Sequence, residues 1–158
     1  TTRLELLPDV YLTAVQTSRF KTACFSLSFL RPLRQEEAGM NALLPSVLLR
    51  GSEKTPSIRA IADRLDELHG ASIGALVRKK GEIQLTGLFA DCLEDQYAGE
   101  AVFSRLLDFV SELLFCPQTD LLQACYIQIH LLQHLPKTRG KQFYHLFTPH
   151  VVPLLNTD

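Results

Sequence analysis

The sequence predicts an α+β fold of two layers, a mostly antiparallel sheet packed against helices. Three observations carry this. Stretches with two-residue apolar alternation come in neighbouring pairs, stretches with helical apolar spacing come in pairs between them, and the second strand pair is joined by a connection too short for a parallel crossover. The resulting order is β-β-α-α-β-β-α-α.

The elements follow in chain order. Val10 to Gln16 alternates weakly and reads as a strand. Thr22 to Leu30 alternates clearly, with Ala23, Phe25, Leu27 and Phe29 on one face and Cys24, Ser26 and Ser28 on the other. That is the pattern of a half-buried strand, and Pro32 is expected to end it. Glu36 to Leu49 reads as a helix with Met40, Leu43, Leu44, Val47 and Leu48 as its apolar stripe. Its two first-turn glutamates suit the helix dipole, and Gly51 offers a stop. Pro45 removes a hydrogen bond inside this helix, a cost of about 3 kcal/mol that calls for local compensation or a kink. Thr55-Pro56 is expected to open a second helix, with Ile58, Ile61, Leu65 and Leu68 inward, an Arg59–Asp63 pair outward and Gly70 as its end. Ser72 to Lys79 and Glu82 to Ala90 read as a hairpin closed at Lys80-Gly81. On it Ile73, Ala75 and Val77 face Ile83, Leu85 and Phe89. A third helix is expected over Gly99 to Leu114, with Phe103, Leu106, Leu107, Val110, Leu113 and Leu114 inward, and a fourth from Asp120 to before Pro136.

The 158 residues and 17.8 kDa suit one domain or part of a larger one. Lys and Arg number 16 and Asp and Glu 17, a net charge of −1. That argues against a nucleic-acid or anionic-membrane binder driven by bulk charge. No apolar run reaches the roughly 18 residues of a membrane span. The start, Thr-Thr-Arg-Leu-Glu, lacks the apolar centre of a secretory leader, so a cytoplasmic location is expected. A first residue other than Met is expected of a trimmed segment. Four scattered cysteines (Cys24, Cys92, Cys116, Cys125) make no CxxC pair and are expected as buried thiols in a reducing compartment.

Few residues are placed for chemistry. There is no GxSxG elbow and no glycine-rich phosphate loop. His130 and His134 stand four apart, a spacing that can seat zinc on one helix face. However, no acid occurs from Leu121 to Thr157 to complete the site. Arg78-Lys79-Lys80 is the one basic cluster, at the hairpin end, where charges are usually only solvated.

The stretch Gly39-Met-Asn-Ala-Leu-Leu-Pro-Ser-Val-Leu-Leu-Arg-Gly-Ser52 carries a resemblance. It aligns without a gap to the motif helix G-L-A-H-F-L-E-H-M-L-F-K-G-T of the insulinase/pitrilysin-type zinc metallopeptidases, the family of the mitochondrial processing peptidase. Thr55 to Ala75 resembles that family's next helix, glycine stop and strand, and Phe20 to Leu30 the strand before the motif. The resemblance covers residues 5 to 117. It is stronger for the family than for one subgroup: bacterial silent members associated with elongation factor P aminopentanol modification.

The resemblance implies the fold of a metallopeptidase half-domain of the processing-peptidase type and argues against its activity. The family's motif is H-x-x-E-H, two zinc-binding histidines and a glutamate that activates water. Here those positions hold Ala42, Pro45 and Ser46, of which two have no ligand atom and the third is a poor one. The family's third ligand is a glutamate beyond residue 120, in the stretch without acids. No metal or other cofactor is therefore expected, although the family uses zinc. The chain is expected to be a non-catalytic subunit that binds peptide or scaffolds an active homologous peptidase, as a heterodimer, or that self-associates. An active zinc endopeptidase using His130 and His134, or a plain interaction domain, are the alternatives. In the family the strand after the second helix is an edge that pairs with extended peptide; it maps to Ala71, Ser72, Ile73, Gly74, Ala75, Leu76 and Val77. Residues 1–117 form the family-like portion, and 118–158 a divergent or incomplete segment.

Overall fold

The computed structural model describes residues 1–118. The helix expected from Asp120, Cys125, and the His130–His134 pair lie outside the described residues.

Among the described residues five strands and four helices follow one another: β1 (Thr2–Leu7), β2 (Val10–Ala14), β3 (Thr22–Pro32), α1 (Gln35–Leu48), α2 (Ile58–Asp66), β4 (Ser72–Lys80), β5 (Ile83–Leu93), α3 (Asp95–Ala98) and α4 (Val102–Phe115). The expected α+β architecture is present. β3, β5 and β4 form an antiparallel sheet in that order, so the strand last in sequence is central. β1 and β2 form a separate antiparallel pair.

β1 is an element that the sequence reading omitted. Its residues are almost all exposed, so apolar alternation gives no signal. The signal lay in the connection instead. Pro8-Asp9 links Leu7 to Val10, with Asp9 at φ 64°, the arrangement of a turn with Pro first and a positive φ second. Arg3 lies 4.6 Å from the Tyr11 ring centroid across the pair.

β3 matches its prediction and extends it through Pro32, which pairs with Ile83. An edge strand tolerates a proline because one side of its ladder needs no donor. The β4–β5 hairpin closes on Gly81-Glu82, one residue later than predicted. Gly81, at φ 60°, supplies the positive φ that a two-residue turn needs at its first position.

The pairing also corrects the expected faces. Ile73, Ala75 and Val77 oppose Ala90, Leu88 and Thr86. Ile83, Leu85 and Phe89 lie on the opposite face, with Ile83 and Phe89 exposed. β5 turns Gln84, Thr86, Leu88, Ala90 and Cys92 inward. The bulkier residues misled the reading because the open face carries them.

The core joins the inner face to α1 and α4. Leu27, Leu88, Ala90 and Cys92 meet Leu44 and Leu48 of α1 and Val102, Phe103, Leu106, Val110 and Leu114 of α4. Phe25 meets Phe103 edge-on at 5.4 Å. α2 joins through Ile61, against Phe109 and Leu113 of α4.

The helices start and stop for local reasons that differ in part from the expected ones. α1 buries Leu44, Pro45 and Leu48, whereas Met40 and Leu43 of the predicted stripe are exposed. The proline ring takes their place inward, and the helix runs through it. α2 starts two residues later than Thr55-Pro56 predicted: Ser57 caps it, its Oγ accepting from Ala60 N–H at 3.1 Å. Ile58 is exposed. The ion pair on this helix is Arg64–Glu67 at 2.7 Å. The predicted third helix, Gly99 to Leu114, is α4, which starts at Val102; the short α3 before it was not predicted, and Gly99, at φ 76°, ends it. Asp95 then accepts from Phe103 N–H at 2.9 Å and caps α4 across the break. Cys92 is buried as expected, while Cys24 and Cys116 are exposed.

Candidate functional site

The three motif positions lie on α1. Ala42 is half-buried and Ser46, one turn on, is exposed, whereas Pro45 is fully buried. Pro45 helps line a small apolar cavity of about 20 Å³ with Phe29, Leu44, Leu48, Thr86, Gly87 and Leu114. No group there can hold a metal or move a proton. Zinc does not fit these residues: Ala42 and Pro45 offer no donor atom, and Ser46 offers a neutral hydroxyl. Among the described residues no cluster of three His, Cys, Asp or Glu side chains could hold a metal ion.

α1 rests on β4 and β5, and one polar tie fixes it there. Buried Gln84 donates from Nε2 to the Ala38 carbonyl at 2.8 Å, while its Oε1 is buried without a partner. A second polar group anchors the loop after α1. Ser52, fully buried, donates to Glu112 of α4. Thr55 Oγ1 donates to the same carboxylate oxygen at 3.2 Å, and Thr55 N–H donates to Ser52 Oγ at 2.9 Å. This latch was not foreseen. Its residues are 60 apart in sequence, and no periodicity links them.

β4 is an edge of the sheet. A two-residue connection makes Lys80 and Ile83 the pair that exchanges both hydrogen bonds, and Arg78, Leu76, Gly74 and Ser72 follow in step. The backbone N–H and C=O groups of Ile73, Ala75 and Val77 therefore point away from β5, toward the free side. Ala71 does not belong to this edge. It precedes β4, is buried, and its N–H donates to the carbonyls of Leu65 and Leu68 at 3.1 and 3.2 Å in the turn that ends α2. Of the seven predicted residues, three thus present free backbone, three pair with β5 and one is committed to the turn.

The remaining charges are surface features. Arg78, Lys79 and Lys80 are exposed at the hairpin end, as expected. His69 Nε2 and Glu100 meet at 2.8 Å, and Arg105 reaches the same carboxylate at 2.8 Å. The His69 hydrogen bond, and then the Arg105 charge, hold the Glu100 carboxyl below its ordinary range. Among the described residues no helix is long and apolar enough to cross a membrane.

No family model matches the chain. The chain is 32% identical over 117 residues to the "Probable inactive metalloprotease YmfF" of Bacillus subtilis (strain 168), a match that takes in 72% of this chain. Its fold is similar to that of a conserved protein from Enterococcus faecalis V583, with a TM-score of 0.72, 27% identity and 78% of this chain covered. The chain spans 28% of the first protein's length and 31% of the second's. The sequence match thus relates this chain to a probable inactive metalloprotease, and the structural match supports the α+β fold.

Proposed function

We infer that the chain is a non-catalytic, zinc-peptidase-like subunit that takes an extended peptide along the free edge of β4. The observation that carries this is the pairing of an incompetent motif helix with an open edge strand beside it. Pro45 stands buried where the insulinase-type motif has its base, on the helix that packs against β4, and the backbone groups of Ile73, Ala75 and Val77 open toward the free side of that strand. Strand addition needs only backbone groups, so loss of the zinc motif leaves it intact. The silent members of the insulinase-type family, including those associated with elongation factor P modification, are the subgroup this reading favours. An active homologous peptidase is then the partner that a peptide-presenting subunit would serve.

The test is saturable binding of a fluorescently labelled unstructured peptide pool to the full chain. Ala75→Pro removes an outward N–H without removing a bond to β5. It should abolish binding while the circular dichroism spectrum stays native. A chain that binds no peptide at any concentration is a plain interaction domain, and the reading fails. Zinc-dependent cleavage of the pool, with one zinc held per chain after chelator washing, would instead establish an active endopeptidase.

A further inference from the structure

The three-stranded sheet has a second face, away from α1 and α4. Its rows run Leu30–Leu85–Arg78, Ser28–Gly87–Leu76, Ser26–Phe89–Gly74 and Cys24–Asp91–Ser72, with Pro32–Ile83–Lys80 at the hairpin end. Leu30 is 65% exposed, Ile83 44% and Phe89 42%. Such a contiguous apolar face on a soluble domain marks an interaction surface.

The face is uneven in two ways. Bulk lies toward the hairpin end, at Leu30, Leu85 and Ile83, whereas β3 is small beyond it, at Ser28, Ser26 and Cys24. Charge divides likewise. Arg78 and Lys80 stand at the hairpin end, and Asp91, accepting from the Ser72 hydroxyl, stands at the other.

We propose that this face stacks on the same face of a second copy of the chain, with the strands of the two copies antiparallel about the Ser28–Gly87–Leu76 row. A two-fold axis across the strands superposes unlike ends. Leu30 then fills the space above the second copy's Ser26, Leu85 meets the second copy's Phe89, and Lys80 comes beside the second copy's Asp91. The two-fold makes each contact twice. The parallel alternative, with the two-fold running along β5, would set Asp91 against itself and Leu30 against the second copy's Arg78. Charge selects the antiparallel arrangement. Three strands of about 4.8 Å spacing and some 36 Å length offer roughly 500 Å² per copy. The pair then buries about 1,000 Å², the lower limit for a specific interface, so the dimer is a weak one with a dissociation constant in the micromolar range. This inference goes beyond the peptide edge and is independent of it, since β4's outward backbone stays free in the stack.

Sedimentation equilibrium of the full chain, from micromolar to sub-millimolar concentration, tests it. The expected result is a reversible monomer–dimer equilibrium that Leu30→Glu abolishes with the circular dichroism unchanged. Lys80→Asp and Asp91→Lys should each be monomeric alone and should dimerise when mixed, because the mixed pair restores both charge contacts. A monomer at every concentration overturns the proposal. So does a dimer that survives Leu30→Glu, or one lost only in Ala75→Pro, which would place the contact at the edge. Single variants that stay monomeric when mixed overturn the antiparallel stacking.

Discussion

Single residues decide most of what this chain can and cannot do. Pro45 is the clearest. Its ring occupies an apolar recess, so restoring the carboxylate of an insulinase-type motif there would bury an unpaired acid. Pro45→Glu should destabilise the chain by about 2–4 kcal/mol in denaturant melts, more than Pro45→Ala. Combining it with Ala42→His and Ser46→His should make the loss no smaller. Glu112 is the hub of the latch between the α1–α2 loop and α4. Glu112→Ala strands the buried Ser52 hydroxyl and should cost about 1–3 kcal/mol. Ser52→Ala should cost less, and in the double variant the two losses should add to less than their sum. Cys92 makes a pH prediction. Burial first, then the charges of Asp95 and Asp91, push its thiol up to about 12 from an ordinary value of 9.0. A raised folded pKa means that the unfolded chain gives up the proton first. This contribution to stability is complete below pH 9.0 and is lost as pH rises from there toward about 12. In the native chain at neutral pH, peptide mapping after alkylation should find Cys24 and Cys116 modified and Cys92 untouched.

At the scale of elements, the glycines of the sheet separate two kinds of close approach. A Cβ on Gly87 would fall on the Leu27 carbonyl of β3, which is backbone and cannot step aside. One on Gly74 would meet only the Phe89 ring, a side chain that can rotate away. Gly87→Ala should therefore cost several times what Gly74→Ala costs in equilibrium unfolding, and Gly74→Ala should expose Phe89 further. The elements also show what a sequence makes legible. β3, the hairpin and the inward stripe of α4 were readable because burial repeats with the period of the backbone. α1's stripe was misread because Pro45, usually excluded from a helix interior, is one of its buried residues. The face of β5 was misread because Thr86 and Gln84 point inward and Ile83 and Phe89 outward. That inversion is consistent with an open face that serves as a contact surface. The four-residue α3 was too short to show a period, and Gly99, read as the start of the next helix, is its left-handed stop.

At the scale of the molecule, one layer of helices on one face of the sheet leaves the β4 edge and the face bearing Leu30 open among the described residues. The disqualified motif was readable from three letters, because a missing donor atom is a property of composition. The edge was not readable in that way, because which strand lies outermost depends on pairing between segments far apart in sequence. The Ser52–Glu112 latch was hidden for the same reason. Gln84 has a further consequence. Its amide gives one hydrogen bond to α1 and leaves its own carbonyl oxygen unsatisfied in an apolar layer. The Ala38 carbonyl, meanwhile, already has a helical donor four residues on. Gln84→Met should leave the melting midpoint unchanged or raise it, since the orphan acceptor disappears and little is lost. What the glutamine supplies is location: it gives α1 a single seat on the sheet, and without it the helix could roll or slide between several positions of similar energy.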